Sequence, residues 1–343
     1  MAMPLKPLTV QRLAYVRYLY REGVEQSQQP APLRARAITS FHDAVENFIG
    51  LTAEHLGVDL KPRTEFLQYW EFIKPEYELP KKTEMKRLND VRIALKHNGT
   101  FPSSHQIEQA REALVDFFTT VTVDVFNVDF DSIDMADLIT QPKVAQYLKD
   151  AQTHADVGDY SMAAAGLSIA LDTLLRHYAR DDGGGRNPFA FGPTLYWHDE
   201  PKVRGREAWD RPRLVKLSSI AESTQQALRA MALGIDYPKL VRFQTLVPTV
   251  HPYADGSWRY VEDEAIRQLS PDDYDWARHF VIDSALRASA ADAVDDLRKT
   301  RNELGRDRPH PERSWTGALQ ESGSEHPHAE EPPPISAPAP LDT

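Results

Sequence analysis

Apolar residues recur every three to four positions along most of the chain, the spacing of helices with one buried face. Leu13, Val16 and Leu19 form such a stripe in Leu8–Glu22, and Ile38, Phe41, Val45, Phe48, Ile49 and Leu51 form a broader one in Arg34–Leu56. Thr64–Ile73 is a shorter helical piece. After the break at Pro80, the pattern predicts a helix over Thr83–Asn98, stopped by Gly99, because glycine accepts the left-handed conformation that commonly ends helices. A fifth helix is predicted from Ser104, as N-cap, to about Asn127, with Ile107, Ala110, Leu114, Phe117 and Phe118 inward. The β-branched run Thr119–Phe130 would suit a strand by composition and is assigned to the end of this long helix.

Asp129–Pro142 reads as a connection. Helices then follow over Lys143–Thr153, Asp159–Tyr178, Leu214–Leu233, from Ser270-Pro271 past Phe280, and on to about Leu304. The small residues Ala163, Ala164, Ala165 and Gly166 permit close helix contact, whereas Asp181–Asp210, with Gly183-Gly184-Gly185, Pro188, Pro193 and Pro201, reads as irregular. Pro248, His251-Pro252 and Asp255-Gly256 read as turns. No alternation of strands with helices and no periodic repeat occurs. The predicted fold class is therefore all-α, in two helical bundles, residues 1–138 and 139–306, followed by a tail over 307–343. A length of 343 residues suits two domains, and 41% hydrophobic residues can fill two cores.

Composition narrows the chemistry. The absence of cysteine excludes a disulfide scaffold, a thiolate metal site and a thiol nucleophile. No basic stretch followed by an apolar one opens the chain, and the longest mostly apolar run, Met162–Leu171, is about half of the roughly 20 residues that a membrane span needs. A cytoplasmic protein without membrane contact is expected. The net charge of −11 argues against broad coating of nucleic acid. Its distribution changes that picture. Asp307–Thr343 holds seven acids against two arginines, together with eight of the 25 prolines, and its composition is that of a disordered tail. Lys81–His97 has the opposite bias: Lys81, Lys82, Lys86, Arg87, Arg92 and Lys96 face only Glu84 and Asp90. Such a basic island can bind a polyanion locally.

Within this island, at about 100° per residue, Leu88, Val91 and Leu95 fall within roughly 60° and form a core stripe. Arg92, Lys96, Asn89, His97 and Asp90 follow round the helix as a polar band interrupted only by Ile93. His97 lies in the last turn, beside the negative end of the helix dipole. An arginine and a titratable histidine on one exposed surface can hold a phosphodiester and move protons around it.

Arg92-x4-His97, preceded by Asn89-Asp90 and followed by Asn98-Gly99, resembles the Arg-x4–6-His signature of the HEPN superfamily over residues of about 30–130. These are four- to five-helix bundles, many of them metal-independent endoribonucleases of toxin–antitoxin, abortive-infection and CRISPR systems. The resemblance implies that Arg92 holds the scissile phosphate, that His97 acts as general base or acid, and that two protomers pair their motif helices. Asn89, Asp90, Lys96, Asn98, Lys86 and Arg87 would support the pair or bind RNA. The departure from the pattern is Ile93, where the family usually carries a polar residue. The second bundle resembles the superfamily faintly, in Val157–Ala164 leading into Leu171–Leu175; Arg242 and His251 are too far apart, with Pro248 between them, to form a second motif.

Other candidates carry less. Gly183-Gly184-Gly185 lacks the lysine and spacing of a phosphate loop, and Gly-x-Ser-x-Gly is absent. His198-Asp199-Glu200 lies on a predicted loop without a second ligand pair, and His310, His326 and His328 lie in the tail. No metal and no cofactor is expected. The function expected is RNA cleavage by 2′-hydroxyl attack in a stress or anti-phage effector, with RNA, a second copy of the chain and a protein regulator as partners. The alternative is a non-catalytic helical module that binds RNA or a protein.

Overall fold

The computed structural model describes residues 5–61, 63–179, 187–192, 211–253, 255–261 and 269–305. The chain is all-α. The first helices are α1 (Pro7–Ser27), α2 (Arg36–His55), α3 (Tyr69–Ile73), α4 (Lys82–Asn98) and α5 (Ser104–Val121). After two short 3-10 turns come α6 (Pro142–Asp156), α7 (Tyr160–Ala179), α8 (Arg211–Ala232) and α9 (Tyr237–Leu246). A hairpin of β1 (Val250–Pro252) and β2 (Trp258–Tyr260) precedes α10 (Pro271–Ala288) and α11 (Asp292–Gly305). Contacts divide the chain into a compact unit, Met1–Leu297, and a second unit, Arg298–Thr343, whose described part is the end of α11. The tail over 307–343 lies outside the described residues.

The buried apolar residues form two clusters. One runs from Leu13 to Ile133 and centres on the fully buried Phe41, Phe48, Phe117 and Phe118 of α2 and α5. The other runs from Met135 to Ala291, with Leu167, Leu174, Phe243 and Phe280 at its middle. Helix α1 serves both. Leu13, Val16 and Tyr20 sit in the first cluster, while Tyr18 Oη donates to Asp283 at 3.0 Å and Arg21 faces Asp275 at 3.4 Å on α10. Gly23 lies where α1 crosses α2. A Cβ there would stand 2.4 Å from Phe41 Cδ1, so the ring occupies the space that a side chain would need. Gly23→Ala should therefore lower the urea midpoint: overpacking of about 1–3 kcal/mol outweighs alanine's helical advantage of about 1 kcal/mol. An unchanged midpoint would show that Phe41 moves freely.

A buried ion pair closes the seam. Arg278 on α10, 6% exposed, donates to Asp134 at 2.5 Å, and Asp134 also accepts from the Ala136 amide at 2.8 Å. Burial opposes the charge on Asp134, yet Arg278 and the amide together hold its pKa below the usual 3.8. A depressed carboxylate contributes stability above its unfolded pKa and loses it as pH falls through the folded value. Asp134→Asn should cost about 1.5–3 kcal/mol at pH 7 and flatten the acid limb of stability below pH 3.8. Urea titrations at pH 7 and in acid check both halves.

Several boundaries differ from expectation. The cap of α5 is Ser103: its Oγ accepts from Gln106 N at 3.2 Å, and Gln106 Oε1 accepts from Ser103 N at 2.9 Å, a reciprocal capping box that makes Ser104 the first helical residue. The long fifth helix gives way after Val121 to a π turn over Thr122–Phe126, ended by Asn127 at φ 54°. The hairpin occupies the stretch expected to hold turns, and α9 forms in a stretch before it that was left unassigned. Asp236 caps α9 by accepting from Lys239 N at 2.9 Å, and Trp258 Nε1 anchors β2 by donating to Tyr147 Oη at 3.3 Å.

Candidate functional site

Helix α4 is set at both ends by backbone geometry. Lys81 (φ 57°) turns the chain in after Pro80, whose carbonyl accepts from Trp70 Nε1 at 3.1 Å, and Gly99 (φ 66°) turns it out, with Thr100 N donating to Ala94 O at 3.1 Å. Met85 and Leu88 are buried. Val91 and Leu95, expected in the core stripe with Leu88, are only half-buried, because α4 lies on the outside of the first cluster.

Lys86, Arg87, Asp90, Lys96, His97 and Asn98 are exposed, and Arg92 and Asn89 are half-buried. The basic residues fall into two groups. Lys81 pairs with Asp116 at 2.9 Å and Lys82 with Glu71 at 3.4 Å. Lys86, Arg87, Arg92 and Lys96 have no ion pair among the described residues, and Arg92 Nε is a buried atom without a hydrogen-bond partner. Four cations on one helix thus keep their charge free for an external anion. Ile93 is 41% exposed in their midst and Phe101, just past the helix, is 63% exposed. On the flank towards α5, a cavity of about 270 Å³ is lined by Ile38, Glu84, Arg87, Asp90, Gln106 and Gln109.

Asn89 was expected on the exposed polar band, and the structure corrects this. Its Oδ1 lies 3.1 Å from Nε2 of His42 on α2. His42 is 2% exposed and stacks on Phe66, ring centroids 4.4 Å apart. Burial, and then the charge of Arg92, push the His42 pKa below its ordinary 6.5 against the opposing pull of Glu46, Asn89 and Asp43, so the ring is neutral at pH 7. Sequence reasoning missed His42, although its place among Ile38, Phe41, Val45 and Ile49 on the apolar stripe of α2 was a visible signal. Arg92 thus stands on a supported floor of Asn89 and His42, with Lys96 one turn on and His97 at the helix end.

The remaining candidates separate from this site. Gly183-Gly184-Gly185, His198-Asp199-Glu200, His310, His326 and His328 lie outside the described residues. Arg242 is engaged elsewhere, over the Trp276 ring at 3.9 Å and beside Asp273 at 3.6 Å, and His251 is in β1. Among the described residues, no helix is long and apolar enough to cross a membrane. In comparison with known proteins, the chain matches no family model, no curated protein and no solved structure.

Proposed function

We propose that the chain is a cytoplasmic, metal-independent endoribonuclease of the HEPN type, acting through Arg92 and His97. The observation that supports this reading is the cationic face of α4, with the half-buried Arg92 lacking an ion pair among the described residues and the exposed His97 on the same helix. Arg92 binds the non-bridging oxygens of a phosphodiester in bidentate fashion, and Lys86, Arg87 and Lys96 hold neighbouring phosphates. His97 takes the proton of the 2′-hydroxyl or supplies one to the departing 5′-oxygen, and a second copy of the helix provides the complementary histidine. The 2′-oxygen attacks phosphorus, the bond to the 5′-oxygen breaks, and the products are a 2′,3′-cyclic phosphate and a free 5′-hydroxyl. The role in stress or phage defence rests on the family resemblance alone.

A second reading is an RNA- or protein-binding module without catalysis. Its support is Asn89, which is engaged by His42 and so leaves Arg92 and His97 with the apolar Ile93 between them. Incubating the full chain with RNA in excess chelator separates the two. Cleavage that persists supports the nuclease. RNA that is retained on the protein in a salt-dependent manner and stays intact supports the binding module and removes the first reading.

A further inference from the structure

Two groups of histidine and carboxylate side chains come together among the described residues: Glu22, Glu25 and His279 at the seam, and His42, Asp43 and Glu46 on α2. The first is already neutralised by protein. Lys239 Nζ sits 2.5 Å from Glu25, His279 turns Nε2 to the acids at 3.3 and 3.8 Å, and its unpartnered Nδ1 is on the other side of the ring.

The second group is different. His42 is 2% exposed, and its Nδ1 is a buried atom with no hydrogen-bond partner, 3.8 Å from Glu46 Oε2 and 3.9 Å from Asp43 Oδ1. Neither carboxylate has another ion pair or side-chain hydrogen bond among the described residues. With Nε2 turned to Asn89 Oδ1 at 3.1 Å, the unpartnered Nδ1 is the ring nitrogen that faces the two carboxylate oxygens. We propose that His42 Nδ1, Asp43 and Glu46 form a binding site for one divalent transition-metal ion of the zinc type.

The parts fit such an ion. One imidazole nitrogen and two carboxylate oxygens suit Zn²⁺ and supply the two negative charges that neutralise it. Tetrahedral bonds of about 2.0–2.2 Å place neighbouring ligand atoms roughly 3.4 Å apart; here Nδ1 lies 3.9 and 3.8 Å from the two carboxylate oxygens, and all three atoms are within 4.8 Å of one another. Asn89 supplies the outer partner that metal-bound histidines need on their second nitrogen. The carboxylate side chains, 45% and 48% exposed, leave an open side for entry and for bound water. The ion would lie at the Nδ1 edge of the His42 ring, opposite the Nε2 that meets Asn89, so it fixes the ring that holds Asn89 and takes no part in cleavage.

The test is titration of the metal-stripped full chain with Co²⁺, read by its visible absorption, and with Zn²⁺ by calorimetry, in a background carrying His310→Gln, His326→Gln and His328→Gln. One equivalent should bind. Asp43→Asn and Glu46→Gln, both at exposed side chains, should each weaken binding at least about tenfold, and Asn89→Leu about 10- to 100-fold as an outer-shell change. No stoichiometric binding, or binding of unchanged affinity in Glu46→Gln and Asp43→Asn, overturns the site. Because the readout is metal binding, it stands or falls separately from RNA cleavage in chelator.

Discussion

Arg92→Ala should slow RNA cleavage by about 10²–10³-fold, and His97→Ala by about 10²–10⁴-fold, the ranges for losing one electrostatic stabiliser and one general acid–base group. The two losses should differ in kind. Arg92 meets the phosphate before and during reaction, so its removal should raise KM as well as lower kcat. His97 acts only as protons move, so its removal should fall mainly on kcat. Arg92→Lys keeps the charge and loses the planar fork, and should recover binding better than rate. Arg92 has no ion pair among the described residues and His97 is exposed, so these substitutions remove no described folding contact beyond packing. Unchanged thermal melting should confirm that the loss is chemical. Single-turnover cleavage of a labelled RNA measures the rates.

Phe48→Ala should destabilise the fold by about 3–5 kcal/mol, a large share of the roughly 5–15 kcal/mol that holds a domain together. Phe48 is fully buried between α2 and α5. Its ring meets Phe118 at 5.1 Å and Phe117 at 5.7 Å, both edge-on, and Phe126 at 5.9 Å. Truncation forfeits the transfer of the ring from water, leaves a cavity that two helices cannot close, and breaks three aromatic pairs. The urea midpoint should fall with an unchanged slope. A loss below about 1 kcal/mol would mean that the cluster repacks as a fluid rather than as an ordered core.

The same contrast between local and distant determinants separates what the sequence showed from what it hid. Helices α2 and α5 were legible because Phe41, Phe48, Ile107 and Phe117 repeat at a local period that needs no knowledge of partners. The start of α5 was misplaced by one residue because Ser103 and Ser104 are adjacent serines, and only Gln106, three residues after Ser103, selects the first. The hairpin was hidden because its three-residue strands carry no period of their own, and β2 is anchored by Tyr147, 111 residues from Trp258. For the site, the wheel placed Arg92 and Asn89 at the correct angles on α4 but could not show what covers them. His42 lies 47 residues from Asn89, and their hydrogen bond exists only once α2 and α4 have packed. The free cations of α4 were likewise visible as a basic run. That Lys81 and Lys82 are neutralised while Lys86, Arg87, Arg92 and Lys96 are not depended on Asp116 and Glu71 arriving from other helices.

The most direct measurement of the central claim is the chemistry of the RNA ends left by the wild-type chain in excess chelator, with Arg92→Ala and His97→Ala beside it. The account predicts 2′,3′-cyclic phosphate and 5′-hydroxyl ends from the wild type, and intact RNA from both folded variants. RNA left intact by the wild type, ends bearing 3′-hydroxyl and 5′-phosphate, or cleavage by Arg92→Ala and His97→Ala at the wild-type rate would contradict it.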